Sequence, residues 1–141
     1  MQKDSGIPSG NPPEYLLEME EAKSRLLLEA RLFKAQQRYQ EVADNFARAA
    51  DMEKRWAEWA ETEGYQELAI IHRYSELSCW AQAGYPHRAL RLIEQLLASS
   101  LLSIEQRTDL EQYQTSLNAQ FLNWMSEWSA VTTPPVKLTT S

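Results

Sequence analysis

The sequence predicts an all-α protein of about five antiparallel helices, and three observations support this fold class. Helix breakers are rare, because of four glycines and six prolines only Gly64, Gly84 and Pro86 lie away from the two chain ends. The interior is rich in Ala, Leu, Glu, Gln and Arg, which favour helices, and poor in Val and Thr, which favour strands. Apolar residues also recur every three or four positions, which is the period of a helix that buries one face.

The first predicted helix runs from Glu14 to about Gln37. Its apolar stripe consists of Tyr15, Met19, Ala22, Leu26, Ala30 and Phe33. Leu27 and Leu28 widen this stripe, and we therefore expect the helix to be covered on more than one side.

The second predicted helix continues to about Thr62 and ends at Gly64, a residue suited to a left-handed helix cap. Its apolar stripe consists of Tyr39, Val42, Phe46, Ala49, Trp56 and Trp59. Asp51 and Arg55 stand four positions apart, which predicts an ion pair on the solvated face of this helix.

The third predicted helix spans residues 65–83 and is apolar on two sides, with Ile70 on one and Ile71 on the other. A helix of this kind is expected to lie between two neighbours. Gly84 should cap it, and Pro86 should open a fourth helix that reaches about Ala98, because a proline at the first helical position loses no hydrogen bond.

The fifth predicted helix begins after Ser103, which forms a capping-box pattern with Gln106. Its stripe consists of Leu110, Tyr113, Leu117, Phe121, Trp124 and Trp128. The chain therefore divides into a flexible segment at 1–13, one helical domain at 14–128 and a flexible tail at 129–141. A helix cannot continue across Pro134 and Pro135.

Charge and composition restrict the function. The formal net charge of −6 opposes binding to nucleic acid or to an anionic membrane surface, since both require clustered cations. We find neither a signal peptide nor an apolar run of about 18 residues, so we expect a cytoplasmic protein. The single Cys79 fits a reducing compartment.

No residue constellation in the sequence points to catalysis, and we expect no enzyme, no cofactor and no metal. His72, Glu76 and Cys79 share one helical face, but a structural zinc ion takes four ligands and the chain offers no second cysteine. We interpret Cys79 as a buried, inert thiol beside a hydrogen-bonded histidine. No glycine-rich phosphate loop is present either.

Two predicted hairpins repeat a pattern of residues. A helix pair around Phe33, Val42 and Phe46 is followed by a second pair in which Trp80, Ala89 and Ile93 occupy matching positions. This pattern resembles the tetratricopeptide repeat family in its first-helix aromatic residue and in the small and large residues of its second helix. The Leu-Gly pair of that family is absent, and the copies lie further apart than its period of about 34 residues.

The resemblance implies tetratricopeptide-like helical hairpins with the fifth helix as a C-terminal cap. It also implies a non-catalytic adaptor or scaffold that binds a protein or peptide along the first helix of each repeat. The matching positions are Leu27, Arg31 and Lys34 in the first helix and Tyr74 and Ser78 in the third. The alternative is that Leu27 and Tyr74 belong to the core and that Arg31 and Lys34 are ordinary surface residues.

The five tryptophans suggest a second function. Trp56, Trp59 and Trp80 are expected mainly in the core, whereas Trp124 and Trp128 near the chain end are the best candidates for exposure. These two could bind a partner or a second copy of the chain. The alternative to an adaptor is therefore a self-associating helical bundle that forms a homo-oligomer.

Overall fold

The computed structural model describes residues 12–132, which form five α-helices, and the predicted all-α fold is confirmed. The helices are α1 (Glu14–Ala35), α2 (Tyr39–Glu63), α3 (Gln66–Gln82), α4 (Pro86–Leu97) and α5 (Ile104–Thr132). The backbone of α5 thus continues beyond the expected end at Trp128. It can do so because proline restricts only the residue directly before it, and Pro134 lies beyond Thr132. Most of the predicted flexible segments, at 1–11 and 133–141, lie outside the described residues.

Each helix packs against the next one along the chain, from α1 with α2 to α4 with α5. The connections are short, and neighbouring helices joined in this way run antiparallel. Side-chain contacts between α1 and α2 agree with this direction. Asn45, near the start of α2, donates a 2.9 Å hydrogen bond to the carbonyl oxygen of Leu26, whereas Glu53, further along α2, meets the earlier Lys23. As predicted, α3 lies between α2 and α4.

Three of the connections between helices have the same backbone conformation. In each, a residue with a positive φ is followed by a residue whose N–H donates a hydrogen bond across the last turn of the preceding helix. Gly64 has a φ of 84° and Gly84 has a φ of 91°. The next residue donates its N–H to a carbonyl five positions earlier, from Tyr85 to Trp80 for instance at 2.9 Å. The predicted caps are confirmed.

The connection between α1 and α2 has the same conformation, but its residue with positive φ is not glycine. Gln37 has a φ of 60°, and the N–H of Arg38 donates a 2.8 Å bond to the carbonyl oxygen of Phe33. The sequence did not indicate this conformation, because glutamine has no preference for it.

Local predictions for the surface and for the last two helices are also confirmed. Pro86 occupies the first turn of α4. Ser103 and Gln106 exchange hydrogen bonds of 2.9 and 3.0 Å before and within the first turn of α5. Arg55 and Asp51 form the expected surface ion pair at 3.2 Å.

The largest apolar core lies between α3, α4 and α5. Its buried members are Ile70, Leu77, Ala89, Ile93, Leu96, Leu110 and Leu117. A smaller cluster joins α1, α2 and α3 through Ala49, Ala50 and Cys79, with Leu27, Phe46 and Trp80 packed against it.

Four expectations about apolar faces were wrong. Tyr15 is 55% exposed in the first turn of α1. Leu28 is 67% exposed, because α1 is the first helix and packs mainly against α2, so nothing among the described residues covers its wider side. Ile71 is 56% exposed, since the neighbours of α3 contact its other faces. Tyr39 is 62% exposed at the first residue of α2, at the edge of the hairpin.

Candidate functional site

A cavity of about 480 Å³ lies between α1, the start of α2 and the end of α3. We call it the α1–α2 groove. Its lining residues are Leu27, Ala30, Arg31, Lys34, Tyr39, Val42, Phe46 and Gln82. The groove thus brings together the three residues of the first helix that the sequence singled out.

The floor of the groove is apolar and anchored. Leu27 and Phe46 are half-buried and pack against the buried cluster of Ala49, Ala50 and Cys79. A floor supported in this way keeps its shape, because the side chains beneath it leave little room for rearrangement.

The rim of the groove is cationic. Arg31 and Lys34 are both exposed and lie three positions apart, on one face of α1. Within residues 12–132, neither forms an ion pair with a carboxylate. The neighbouring Arg38 is engaged differently, since it pairs with Glu41 at 2.8 Å and stacks over Phe33 at 4.6 Å.

Tyr74 and Ser78 do not line this groove, although they were expected on the same inner face. Tyr74 packs against the largest core and donates a 2.8 Å hydrogen bond to the carbonyl oxygen of Gln106 on α5. Burial, followed by the charge of Asp109, raises the pKa of the Tyr74 hydroxyl. The alternative that Tyr74 is a core residue therefore describes its position better.

Ser78 lies at the boundary between the groove and α5. It accepts a 3.2 Å hydrogen bond from Gln82, a groove residue, and it lies close enough to Tyr113 on α5 to oppose the rise that burial causes in the pKa of that hydroxyl. Ser78 thus lies where α3 meets α5.

Trp124 and Trp128 belong to the backbone of α5, but their side chains lie outside the described residues. Of the other tryptophans, Trp56 is buried, while Trp59 and Trp80 are half-buried. Trp56 and Trp59 meet edge to face at 5.9 Å. These three thus fill the interior, as expected.

A buried ion network that the sequence did not predict connects α1, α2 and α3. Glu53 is 4% exposed and accepts hydrogen bonds from Lys23 at 3.1 Å and from His72 Nδ1 at 2.7 Å. Lys23 also pairs with Glu20 at 2.8 Å, and the ring of His72 stacks on Trp56 at 4.9 Å. The network holds the first three helices together at one point.

The pKa shifts in this network have opposite signs for its acid and its base. Burial alone would raise the pKa of Glu53, but the hydrogen bond with His72 and the charge of Lys23 together lower it. Burial alone would lower the pKa of Lys23, but the bond to Glu20 and the charge of Glu53 together raise it. Both groups therefore stay charged at neutral pH.

The sequence does contain one signal for Glu53. Glu53 lies four residues after Ala49 and four residues before Ala57, and both alanines are fully buried. Helical spacing therefore already places the carboxylate of Glu53 on the inner face of α2. A carboxylate on such a face needs a cationic partner. Its partners were not predictable, because Lys23 and His72 are 30 and 19 positions away.

His72, Glu76 and Cys79 share a helix but serve different contacts. His72 pairs with Glu53, while buried Glu76 accepts bonds from Arg73 at 2.8 Å and from the indole of Trp80 at 3.0 Å. Burial raises the pKa of the Cys79 thiol to about 11, helped by the charge of Glu53. Across residues 12–132, no three His, Cys, Asp or Glu side chains converge in a way that could hold a metal ion.

None of the helices in the described part of the chain is both long and apolar enough to cross a membrane. Comparisons of the chain with protein-family models, with curated proteins and with solved structures find no match. The resemblance to tetratricopeptide repeats therefore depends on the residues quoted above.

Proposed function

We propose that this protein is a non-catalytic adaptor that binds an acidic, partly apolar segment of a partner protein in the α1–α2 groove. The observation that carries the proposal is the pairing of two exposed cations, Arg31 and Lys34, with an apolar floor formed by residues such as Leu27 and Phe46. A peptide with carboxylates beside a large apolar side chain complements both features.

The charges of the chain favour this occupant. Acidic residues outnumber basic ones by 20 to 14, yet Arg31 and Lys34 have no carboxylate partner within residues 12–132. A guanidinium group can bind a carboxylate through two parallel hydrogen bonds, and a lysine beside it adds a second point of attraction. Carboxylates on a partner would therefore be attracted to this rim despite the net negative charge of the chain.

The arrangement of helices supports the same interpretation. The hairpins α1–α2 and α3–α4 both turn on a left-handed residue, at Gln37 and Gly84. Consecutive hairpins of this kind agree with the resemblance to tetratricopeptide repeats, which implies peptide binding along the first helix of a unit. The site we propose is shorter than the site that the sequence predicted. It lacks Tyr74 and Ser78, and α3 contributes Gln82 instead.

The use of the reactive side chains supports a non-catalytic role. His72 and Glu53 bind each other and Lys23, and the Cys79 thiol is buried with a raised pKa. A nucleophile or general base needs access to its substrate and a pKa near the working pH. Among these groups, neither the buried carboxylate nor the buried thiol meets both requirements.

A selection from a displayed library of random peptides tests the proposal. We expect the immobilised full-length protein to enrich peptides with Asp or Glu close to Leu, Ile or Phe. The double variant Arg31→Glu/Lys34→Glu should bind the selected peptides about tenfold or more weakly, because it replaces attraction by repulsion at the rim. Fluorescence anisotropy measures the affinities.

Arg25→Glu/Arg48→Glu is a matched control, because it makes the same change of charge at two exposed cations outside the groove. The proposal is wrong if both double variants weaken binding equally, or if the selected peptides carry no acidic residues. Circular dichroism establishes that each variant retains its helices.

A second candidate function is self-association, and exposed apolar side chains favour it. Leu28 and Leu32 lie one turn apart on the outer surface of α1, and Leu122 and Met125 lie one turn apart on α5. Exposed apolar patches often mark contacts between proteins. Light scattering at high protein concentration tests this function, since a strict monomer excludes it and a dimer lost in Leu28→Glu/Leu32→Glu supports it.

A further inference from the structure

A second cavity of about 480 Å³ opens between α2, α3 and α4, on residues that the α1–α2 groove does not use. We call it the cationic cleft. Four basic residues line it, namely Lys54 of α2, Arg73 of α3, and Arg88 and Arg91 of α4. Among its described lining residues, Glu76 is the one carboxylate.

Arg73 binds two carboxylates, Glu76 and Glu61, and within residues 12–132 neither of these pairs with another cation of the cleft. One carboxylate oxygen of Glu76 accepts a bond from Arg73 at 2.8 Å, and the other accepts one from Trp80 at 3.0 Å. The other two nitrogens of the Arg73 guanidinium each donate one hydrogen bond to Glu61, at 2.9 and 3.0 Å. Both oxygens of Glu76 and the guanidinium of Arg73 are thus already committed within the protein.

Arg88 is held at the cleft by aromatic rings. Its guanidinium carbon lies 4.5 Å from the ring centroid of Trp80 and 4.9 Å from that of Tyr85. The two rings meet edge to face at 5.7 Å, which fixes their orientation. In a cation–π contact the guanidinium lies over the face of the ring, and its five N–H donors form no hydrogen bond with that ring. They can therefore still bind a ligand.

Three exposed cations, Lys54, Arg88 and Arg91, therefore meet at one cleft without a carboxylate partner within residues 12–132. Like charges at one site repel each other, and the repulsion is relieved when an anion binds between them. We infer that the cationic cleft binds a phosphorylated side chain of a partner protein.

The chemistry of the cleft favours this occupant over other anions. A phosphorylated side chain has close to two negative charges and three acceptor oxygens, which match several cationic donors. Sites for free small molecules are mostly apolar and enclosed, whereas this cleft is polar and its cations are exposed. A long polyanion such as RNA would also meet the net charge of −6 around the cleft.

A pair of peptide libraries tests the inference. Degenerate peptides with a central phosphoserine, and the same peptides with serine, are applied to the immobilised full-length protein. We expect the enriched phosphopeptides to bind about tenfold or more tightly than their unphosphorylated copies, because charge-assisted bonds to phosphate are lost with the group. The double variant Lys54→Gln/Arg91→Gln should lower their affinity by about tenfold, because it removes two of the attracting charges.

Arg25→Gln/Arg48→Gln removes the same charge from two exposed arginines that line neither the cleft nor the α1–α2 groove, and it is the matched control. It should change phosphopeptide affinity by less than about twofold, because attraction between solvent-exposed charges that do not contact each other is weakened by salt. This comparison separates binding at the cleft from a general effect of net charge. Circular dichroism shows whether the helices are intact.

Three results would overturn the inference. The first is equal binding of phosphorylated and unphosphorylated peptides. The second is competition by inorganic phosphate at the same concentration as by the phosphopeptide, which would assign the cleft to the free anion. The third is tight binding of single-stranded RNA with no phosphopeptide binding, which would make the cleft a nucleic-acid site.

Discussion

Glu53 on α2 and His72 on α3 form a 2.7 Å hydrogen bond in the interior, across 19 positions of the sequence. Lys23 of α1 contacts the other oxygen of the same carboxylate at 3.1 Å. One acidic residue therefore links three helices, and it is the point at which the stability of the fold is most easily tested.

Glu53→Gln should lower the free energy of unfolding by about 1 to 3 kcal/mol, since it removes the buried charge that binds Lys23 and His72 while Lys23 keeps its pair with Glu20. Urea unfolding at neutral pH measures the change. Asp51→Asn is the control, because it breaks a surface pair with Arg55 whose side chains are more than half exposed. That pair should contribute less than about 1 kcal/mol. Equal effects of the two substitutions would contradict the role of the network.

Stability should also fall at low pH through Glu53. Its pKa in the folded protein lies below the ordinary value of 4.5, so folding favours the ionised form. The contribution is complete above pH 4.5 and is lost as the pH falls through the lower folded pKa. Urea unfolding from pH 7 to pH 3 should show a steeper loss for the wild type than for Glu53→Gln. Parallel curves would show that other carboxylates control the acid response.

Gln37→Gly should stabilise the protein by about 0.5 to 1 kcal/mol, because a left-handed conformation is strained for glutamine and open to glycine. Gly84→Ala is the reverse experiment and should destabilise by about 1 kcal/mol. No atom lies within 4 Å of a Cβ added at Gly84, so the backbone angle of 91° is the cause. Thermal unfolding measures both changes, and shifts of the same sign would contradict the assignment.

Cys79 should react slowly with thiol reagents in the folded protein. Its thiol is buried and has a pKa of about 11, so little thiolate is present at pH 8 and access is blocked. We expect labelling to be about a hundredfold or more slower than in urea, since it requires local opening. Mass spectrometry follows the modification. Fast labelling of the folded protein would indicate a thiol that is accessible and ionised.

The apolar stripes indicated which residues form helices. They did not indicate which stripes are covered by another helix. Ile70 and Leu110 were predicted on apolar faces and are buried, yet Leu28 and Ile71 were predicted on such faces too and are exposed. The spacing of three or four positions between apolar residues is the same for the buried and for the exposed residues. Burial depends on whether another helix lies opposite, and that follows from the order of packing along the chain.

For the α1–α2 groove as well, the sequence predicted part of the site and the packing of helices decided the rest. Leu27, Arg31 and Lys34 were expected on one face because they stand four and three positions apart on one helix, and they do line one cavity. Tyr74 was assigned to that surface across helices, and it contacts Gln106 on α5 instead. Spacing along one helix is reliable, whereas the rotation of one helix against another is not encoded by any short stretch.

The sequence by itself determined the helices and most of the connections between them, as Gly64, Gly84 and Pro86 illustrate. These features depend on backbone angles and hydrogen bonds that reach no more than five residues along the chain. The tertiary structure alone decided that Glu53 pairs with Lys23 and His72. It also decided that cations without a carboxylate partner in residues 12–132 gather at two separate cavities. Such contacts join residues far apart in sequence, and their geometry follows from the packing of whole helix surfaces.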